Sequence, residues 1–582
     1  MKKTVLKVSL TGAASAVFLL GCASLTNTAS PPPQLSAALP ASIQPSACGN
    51  LSSFQFANTK IDSAVNVPAG KVSTTPAPNG PPTAYDVGEH CVVKGKMFER
   101  KGEDGQNYAI KFEMRMPLNW NGRFYHQVNG GIDGVVHAAL GALSGGPLTG
   151  ALHQGFAVIS SDAGHPVPNP SFGKEPTART DYGYAAVAKI TPMAKAMIGA
   201  AYGKGPDRSY IGGCSNGGRH TLVAASRYGN DYDGYLAGAP GYRLPNAALA
   251  QLAMGPEWLS IATKDAVMNH PFIPNVKIAD LGTALTAQER TTVANSVLEK
   301  CDALDGAKDG LVQDVAACQA AFDVNRDVPS CQGNTRTGQC LTQDQKRVLS
   351  MTQSGVKTPS GKMIYSSFPY DTGLAAADWV KWKFVDSQTL DPGAGYIFMS
   401  PARTITPFKV DVEDGFNAIY AVAEPFKESA DTVITAGMKD KPELLSTIRN
   451  RGAKVLIYHG VSDGIFSETD TRALLNKVNT AFNGKASEFV RYFPVPGMNH
   501  CRAGSSTDQF DALTPLVNWV EKGIAPSSIT ATARGTGNAF GVNPELPKDW
   551  SANRSRPLCA YPTVARYRGS GSLEDAASFS CQ

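Results

Sequence analysis

Hydrophobic and polar positions alternate with two different periods along this chain, and the place where the regularity stops is as informative as where it holds. Tyr108–Met116 alternates with a period of two, as a strand with one solvent face does, and Gly155–Ser160 is a short apolar run suited to a buried strand. Thr180–Tyr202 has helical spacing and leads into a β-leaning run at Ser209–Ile211; a helix-leaning segment, Arg219–Tyr228, and another strand, Tyr235–Pro240, follow. Strands alternating with helices from about residue 84 to 240 predict a largely parallel α/β sheet.

From Tyr242 to Asn450 the alternation is lost among glycine turns, four cysteines and apolar helical patches. So long an interruption reads as an inserted lid domain rather than one loop. Alternation resumes with a strand at Lys454–His459, a helix at Glu468–Phe482, a strand at Phe489–Pro494 and an amphipathic helix at Asp508–Gly523. The expected plan is a core in two parts, 48–241 and 451–582, interrupted by a lid over 242–450.

The N-terminus stands apart. Lysines precede an apolar run, Val8–Leu20, that closes on Leu19-Leu-Gly-Cys22; it is too short for a membrane span and reads as an export signal of lipoprotein type, with a lipid on Cys22. Residues 23–47, rich in Pro, Ser, Ala and Thr, read as a disordered tether. Without Lys2, Lys3 and Lys7 the 54 basic residues become 51 against 49 acids, so nothing in the charge favours nucleic acid or an anionic membrane surface as partner. The expected location is outside the cytoplasm: outer-membrane lipoprotein, periplasmic or secreted.

Ten cysteines remain beyond Cys22, an even number that in an exported chain favours five disulfides. Spacing suggests Cys301–Cys318, Cys331–Cys340 and Cys559–Cys581, with Cys48–Cys91 compatible; Cys214 and Cys501 are left over. Close CxxC pairs, which a zinc site would call for, are absent.

The chemistry centres on Gly213-Cys-Ser-Asn-Gly217, entered by a strand and left by a helix, which is the layout of a nucleophile elbow. Gly460-Val-Ser-Asp-Gly464 matches the same loose pattern. Chain order decides between them. In α/β hydrolases the acid and then the histidine follow the nucleophile, each at a strand end. Ser215 is followed by Asp463 after one strand and His500 after the next; Ser462 has only its neighbour Asp463, or helical Asp470, to orient His500. Ser215, Asp463 and His500 are therefore the expected nucleophile, orienting acid and base. The backbone N–H groups of Asn216 and of Gly131, in the loop Phe124-Tyr-His-Gln-Val-Asn-Gly-Gly-Ile-Asp-Gly134, are the expected oxyanion donors. His459 and Phe466, close to Asp463, are expected to wall the substrate pocket, and His165 to lie near it.

Cys301-Asp-Ala-Leu-Asp-Gly-Ala-Lys-Asp-Gly-Leu311 carries three carboxylates, Asp302, Asp305 and Asp309, within eight residues. With carbonyls from Ala307 and Leu311 they form an oxygen-rich set suited to Ca²⁺, though without EF-hand spacing; a solvated acidic turn is the alternative reading of the same residues.

Gly213-Cys-Ser-Asn-Gly-Gly218, Tyr458-His-Gly-Val-Ser-Asp463, Pro496-Gly-Met-Asn-His-Cys501 and the acidic loop, with Arg556-Pro-Leu-Cys-Ala-Tyr-Pro562 near the end, together resemble the tannase/feruloyl esterase family from about Cys48 onwards. The resemblance implies an α/β-hydrolase core with a large inserted lid, the Ser215–Asp463–His500 triad, oxyanion donors at Gly131 and Asn216, and structural Ca²⁺ in the lid. It also implies a Cys214–Cys501 disulfide between the elbow and the histidine loop. Esters of phenolic acids such as ferulate or gallate are the implied substrates, with terephthalate monoesters as the alternative. Members cleaving terephthalate monoesters carry Glu after the serine, where this chain has Asn216, and a lid arginine for which Arg403 is the candidate here. Lid aromatics Trp379, Trp382, Tyr396 and Phe398 are candidates to sandwich an aromatic ring. A full triad with its glycine loop argues against a non-catalytic binding protein on the same scaffold.

Overall fold

The computed structural model describes residues 32–44, 47–73, 84–142, 148, 150–271 and 273–582. The export signal and Cys22 lie outside them. Nine strands form one mixed sheet: β1 (Thr59–Val67), β2 (His90–Lys101), β3 (Asn107–Pro117), β4 (Arg123–Gln127), β5 (Ala157–Ser161), β6 (Arg208–Cys214), β7 (Gly234–Gly238), β8 (Lys454–Gly460) and β9 (Val490–Val495). Their spatial order is β9-β8-β7-β6-β4-β5-β3-β2-β1. The six strands from β9 to β5 are parallel, and β3, β2 and β1 join antiparallel.

The period of two sorts the core onto two faces. Ile211, Tyr235, Ala237, Val455 and Ile457 point to one side, where they pack with α1 (Ala186–Tyr202), α2 (Asn216–Arg227) and, further on, α5 (Glu468–Ala481). Tyr210, Leu236, Leu456 and Tyr458 point to the other, against α6 (Leu513–Lys522). The insertion 242–450 contributes no strand to this sheet. Its helices, among them α3 (Leu244–Ile261) and α4 (Ala287–Cys301), pack around a separate apolar cluster that includes Trp258, Leu285, Val297, Leu349, Phe384 and Ile419.

Three expectations differ from the structure. β3 has no solvent face, because β2 and β5 flank it and residues on both sides of its pleat are buried. The last helix begins at Leu513, not Asp508: Asp508 is drawn to Arg534, with an Arg534 Nη2–Asp508 Oδ2 distance of 2.6 Å, and Gln509 exchanges backbone hydrogen bonds with Thr532. The expected tether does not run through residues 32–44. Gln34 Nε2 donates to the Val520 carbonyl at 2.7 Å, Arg208 holds Ser36, the Ala38 N–H donates to Glu521, and Ala41–Ser42 pairs with Asn119–Trp120. Among the described residues five disulfides are present: Cys48–Cys91, Cys214–Cys501, Cys301–Cys318, Cys331–Cys340 and Cys559–Cys581. Among the described residues no helix is long and apolar enough to cross a membrane.

Candidate active site

The parallel strands place the chemistry at their C-terminal ends. β6 ends at Cys214, and Ser215 caps α2 with φ 66° and ψ −125°, a backbone that side-chain-bearing residues rarely adopt. The turn is tight enough to require both flanking glycines. A Cβ on Gly213 would lie 2.1 Å from the Val128 carbonyl oxygen, and one on Gly217 2.4 Å from it. The hydroxyl of the part-buried Ser215 meets His500 Nε2 at 2.7 Å, and His500 Nδ1 meets Asp463 Oδ2 at 2.7 Å. Asp463 and His500 are themselves buried.

Asp463 is heavily satisfied. Its Oδ1 accepts the backbone N–H groups of Ile465 and Phe466, both at 2.9 Å, and its Oδ2 also faces His459 Nε2 at 3.2 Å. Burial opposes the charge on Asp463, but His500 and His459 outweigh it and hold the carboxyl well below the usual carboxylate range. His459 is thus not a pocket wall. It is fully buried beneath Asp463, with Thr471 Oγ1 2.9 Å from its Nδ1. Ser462, the rival serine, is buried and donates to Asp371 at 2.8 Å.

Phe466 does lie at the site. Its ring packs edge-on to His500 with centroids 5.1 Å apart. Trp382, from the insertion, covers His500 from another side at 4.4 Å, its indole N–H donating to Asp378 at 3.0 Å. The other aromatics of the insertion are placed differently: Trp379 and Phe398 are core, and the Tyr396 hydroxyl bonds Thr404. Arg403 is spent on a partly exposed pair with Asp414. Cys214 and Cys501 flank Ser215 and His500 in sequence, and the disulfide between them joins positions 287 residues apart.

The glycine loop approaches the elbow closely, for a Cβ on Gly130 would be 3.6 Å from Ser215 Cβ. Gly131 has φ +66°. His165 Nε2 donates to the Ile132 carbonyl at 2.7 Å, and its ring stacks on Phe172. The Asn216 side chain turns away from the hydroxyl into a buried polar group with Asp133, Arg219 and His220. Reading along the sequence misses this group; of the four aromatics of the insertion that it singles out, Trp382 is the one packed on His500. The Asp in Gly130-Gly-Ile-Asp-Gly134 was the available signal, since an acid inside a glycine loop needs a partner.

In the acidic loop, Asp302 Oδ1 accepts from the N–H groups of Asp309 and Gly310, and Asp305 Oδ1 from that of Ala307. Asp305 Oδ2 is buried without a partner; burial raises Asp302 and pushes Asp305 up to about 7. Asp309 is instead bonded to Arg556, and its carbonyl to Arg554. Among the described residues no three His, Cys, Asp or Glu side chains converge as a metal site would require. What the loop offers a hard cation is the buried, unpartnered Asp305 Oδ2, with Asp302 beside it already accepting backbone N–H groups.

Comparison with known proteins agrees with this geometry. Residues 91–582 match the family model described as tannase and feruloyl esterase. The mono(2-hydroxyethyl) terephthalate hydrolase of Piscinibacter sakaiensis is 36% identical over 534 residues, 85% of either chain. A probable feruloyl esterase B-1 of Aspergillus fumigatus is 28% identical over 501 residues, 81% of this chain and 82% of that one. Among solved structures, feruloyl esterase B from Aspergillus oryzae superposes with a TM-score of 0.71 at 23% identity, covering 92% of this chain and all of that one. The chain is a carboxylic ester hydrolase of the tannase and feruloyl esterase family.

Proposed function

We propose that the protein hydrolyses esters of aromatic acids through an acyl-enzyme on Ser215. The observation that carries this reading is the unbroken hydrogen-bond chain from Ser215 Oγ through His500 to Asp463. His500 Nε2 takes the hydroxyl proton as Oγ attacks the ester carbonyl, and Asp463 fixes the ring tautomer and balances the imidazolium charge. The N–H groups of Asn216 and Gly131 receive the developing oxyanion. His500 then protonates the departing alcohol, and water attacking the acyl-enzyme repeats the sequence to release the acid.

The aromatic acyl group is supported by Trp382 and Phe466, whose rings flank His500. An aromatic acyl group carried on Ser215, next to His500, would have these two rings as apolar neighbours. Phenolic acids such as ferulate and gallate are the favoured acyl groups. Terephthalate monoester hydrolysis is the second reading, supported by the 36% identical relative. Asn216 does not separate the two, since its side chain is directed into the protein. The insertion, with Trp382 over His500, acts in this reading as the lid. Ca²⁺ held by Asp302 and Asp305 would relieve the buried Asp305 carboxylate and its half-buried neighbour and brace the lid. The signal and lipid on Cys22 would deliver the enzyme beyond the cytoplasm, where its disulfides are stable.

Hydrolysis of a p-nitrophenyl ester by Ser215→Ala is the direct test. A fall in kcat of about 10⁴-fold or more is expected, and rates equal to wild type would refute the nucleophile. Rates on methyl ferulate, methyl gallate and mono(2-hydroxyethyl) terephthalate then rank the acyl groups.

A further inference from the structure

The two oxyanion donors come from segments 85 residues apart, Gly131 and Asn216. Each segment holds a non-glycine residue at positive φ: Asp133 at 56° and Ser215 at 66°. Such backbones persist only where surrounding contacts over-determine them. Below the site a buried carboxylate supplies that contact. Asp133 Oδ2 accepts from Asn216 Nδ2 at 2.8 Å and meets His220 Nε2 at 2.9 Å. Asn216 and His220 lie one turn apart on α2, so one carboxylate grips the same face of the helix twice.

The grip is itself held. Arg219 Nε donates to Asn216 Oδ1 at 2.6 Å, while its other nitrogens donate to the carbonyls of Tyr182, Gly183 and Ile434. Arg219 Nη2 lies 3.3 Å from His220 Nδ1 and 3.2 Å from its Nε2, the nitrogen that faces Asp133. Tyr182 Oη reaches the Gly131 carbonyl at 3.5 Å. All of Asp133, Asn216, Arg219 and His220 are buried. Burial keeps His220 neutral and raises Asp133 to about 7, so the pair is better described as a hydrogen-bonded clasp than as an ion pair.

We propose that Asp133 is a positioning residue for the oxyanion hole: by clasping the side chain of Asn216 it sets the separation of the Gly131 and Asn216 backbone donors. It touches neither substrate nor Ser215. Its effect passes through the two N–H groups, whose stabilisation of charge depends on placement to a fraction of an ångström. This rests on the serine-esterase reading of the site.

The test compares Asp133→Ala, Asp133→Asn, Asn216→Ala and the Asp133→Ala/Asn216→Ala double variant on a p-nitrophenyl ester, with Ser215→Ala alongside. Asp133→Ala is expected to lower kcat about tenfold to hundredfold with KM within about twofold. The inhibition constant of benzeneboronic acid, whose tetrahedral adduct needs the same donors, should rise by the same factor. Asp133→Asn keeps an acceptor for Asn216 Nδ2 and should recover most of the rate. Asn216→Ala, which retains its backbone N–H, should match Asp133→Ala, and the double variant should be no worse than the poorer single one. An unchanged kcat in Asn216→Ala and Asp133→Ala, or losses that multiply in the double variant, would overturn the proposal. Should Asp133→Ala fail to fold, Asn216→Ala decides alone, by kcat and boronate affinity together. Activity retained in Ser215→Ala would instead remove the esterase reading beneath it.

Discussion

Replacing Cys214 and Cys501 together by serine should cost both stability and rate, and the two losses have separate origins. The bridge closes a loop of 287 residues, whereas the other four join positions 9 to 43 residues apart. The chain-entropy relation puts the stabilisation from so long a loop at roughly 5.6 kcal/mol, with measured values for disulfides usually about 2–5 kcal/mol. Unfolding a chain of this size carries an entropy of roughly 1.2 kcal/mol per kelvin, so the melting temperature should fall by about 2–4 °C. The rate effect is local. Cys214 and Cys501 adjoin Ser215 and His500, and Cys501 is held at φ 66°. Relaxing that backbone lengthens the 2.7 Å contact between Ser215 Oγ and His500 Nε2. A displacement approaching 1 Å lowers kcat by about a hundredfold. Calorimetry and p-nitrophenyl ester hydrolysis measure the two, with thiol titration confirming that the remaining bridges are intact. A double variant that melts within about 1 °C of wild type and keeps its kcat would refute the reasoning.

Calcium and chelation should move the melting temperature in opposite directions, and Asp305→Asn should reverse its sign between them. The folded-state pKa of Asp305 is raised to about 7 from 3.8, so its burial costs stability increasingly as pH rises from 4 to 8. In EDTA at pH 8 the variant should therefore melt higher than wild type, at pH 4 the same, and with calcium lower; no calcium dependence in either protein would exclude a cation at this loop. Trp382→Ala should raise KM for methyl ferulate several-fold more than for p-nitrophenyl acetate, since only the former presents an aromatic acyl group; equal changes would place the ring elsewhere.

The parallel half of the sheet was legible because buried strands and amphipathic helices announce themselves locally, as β6 to β9 do. The antiparallel edge was harder: β1 and β2 carry exposed polar residues that resemble loop, and their pairing depends on distant partners. Residues 32–44 look disordered by composition, yet they are fixed by Val520, Arg208 and Glu521, all remote in sequence. The same division holds at the site. Ser215, Asp463 and His500 could be picked out by order and strand ends, because chemistry restricts which residue types can serve. His220 and Asp133 look like ordinary polar positions along the chain. Only folding brings them into one buried cluster, where each must find a partner. His459 was placed in the right neighbourhood and on the wrong side of Asp463, a distinction that one strand's period of two could not make.

The segment 32–44 also orients the molecule. Pro33 passes against Gly452, Ser36 against Arg208 and Leu39 against Gly122, all just before or at the N-terminal ends of parallel strands. Ser215 lies at the opposite end of β6, a strand of seven residues and so about 23 Å away. Residues 33–39 therefore lie on the face away from the catalytic mouth. An antibody or a chemical label directed at 33–39 should leave that mouth open to dissolved ester.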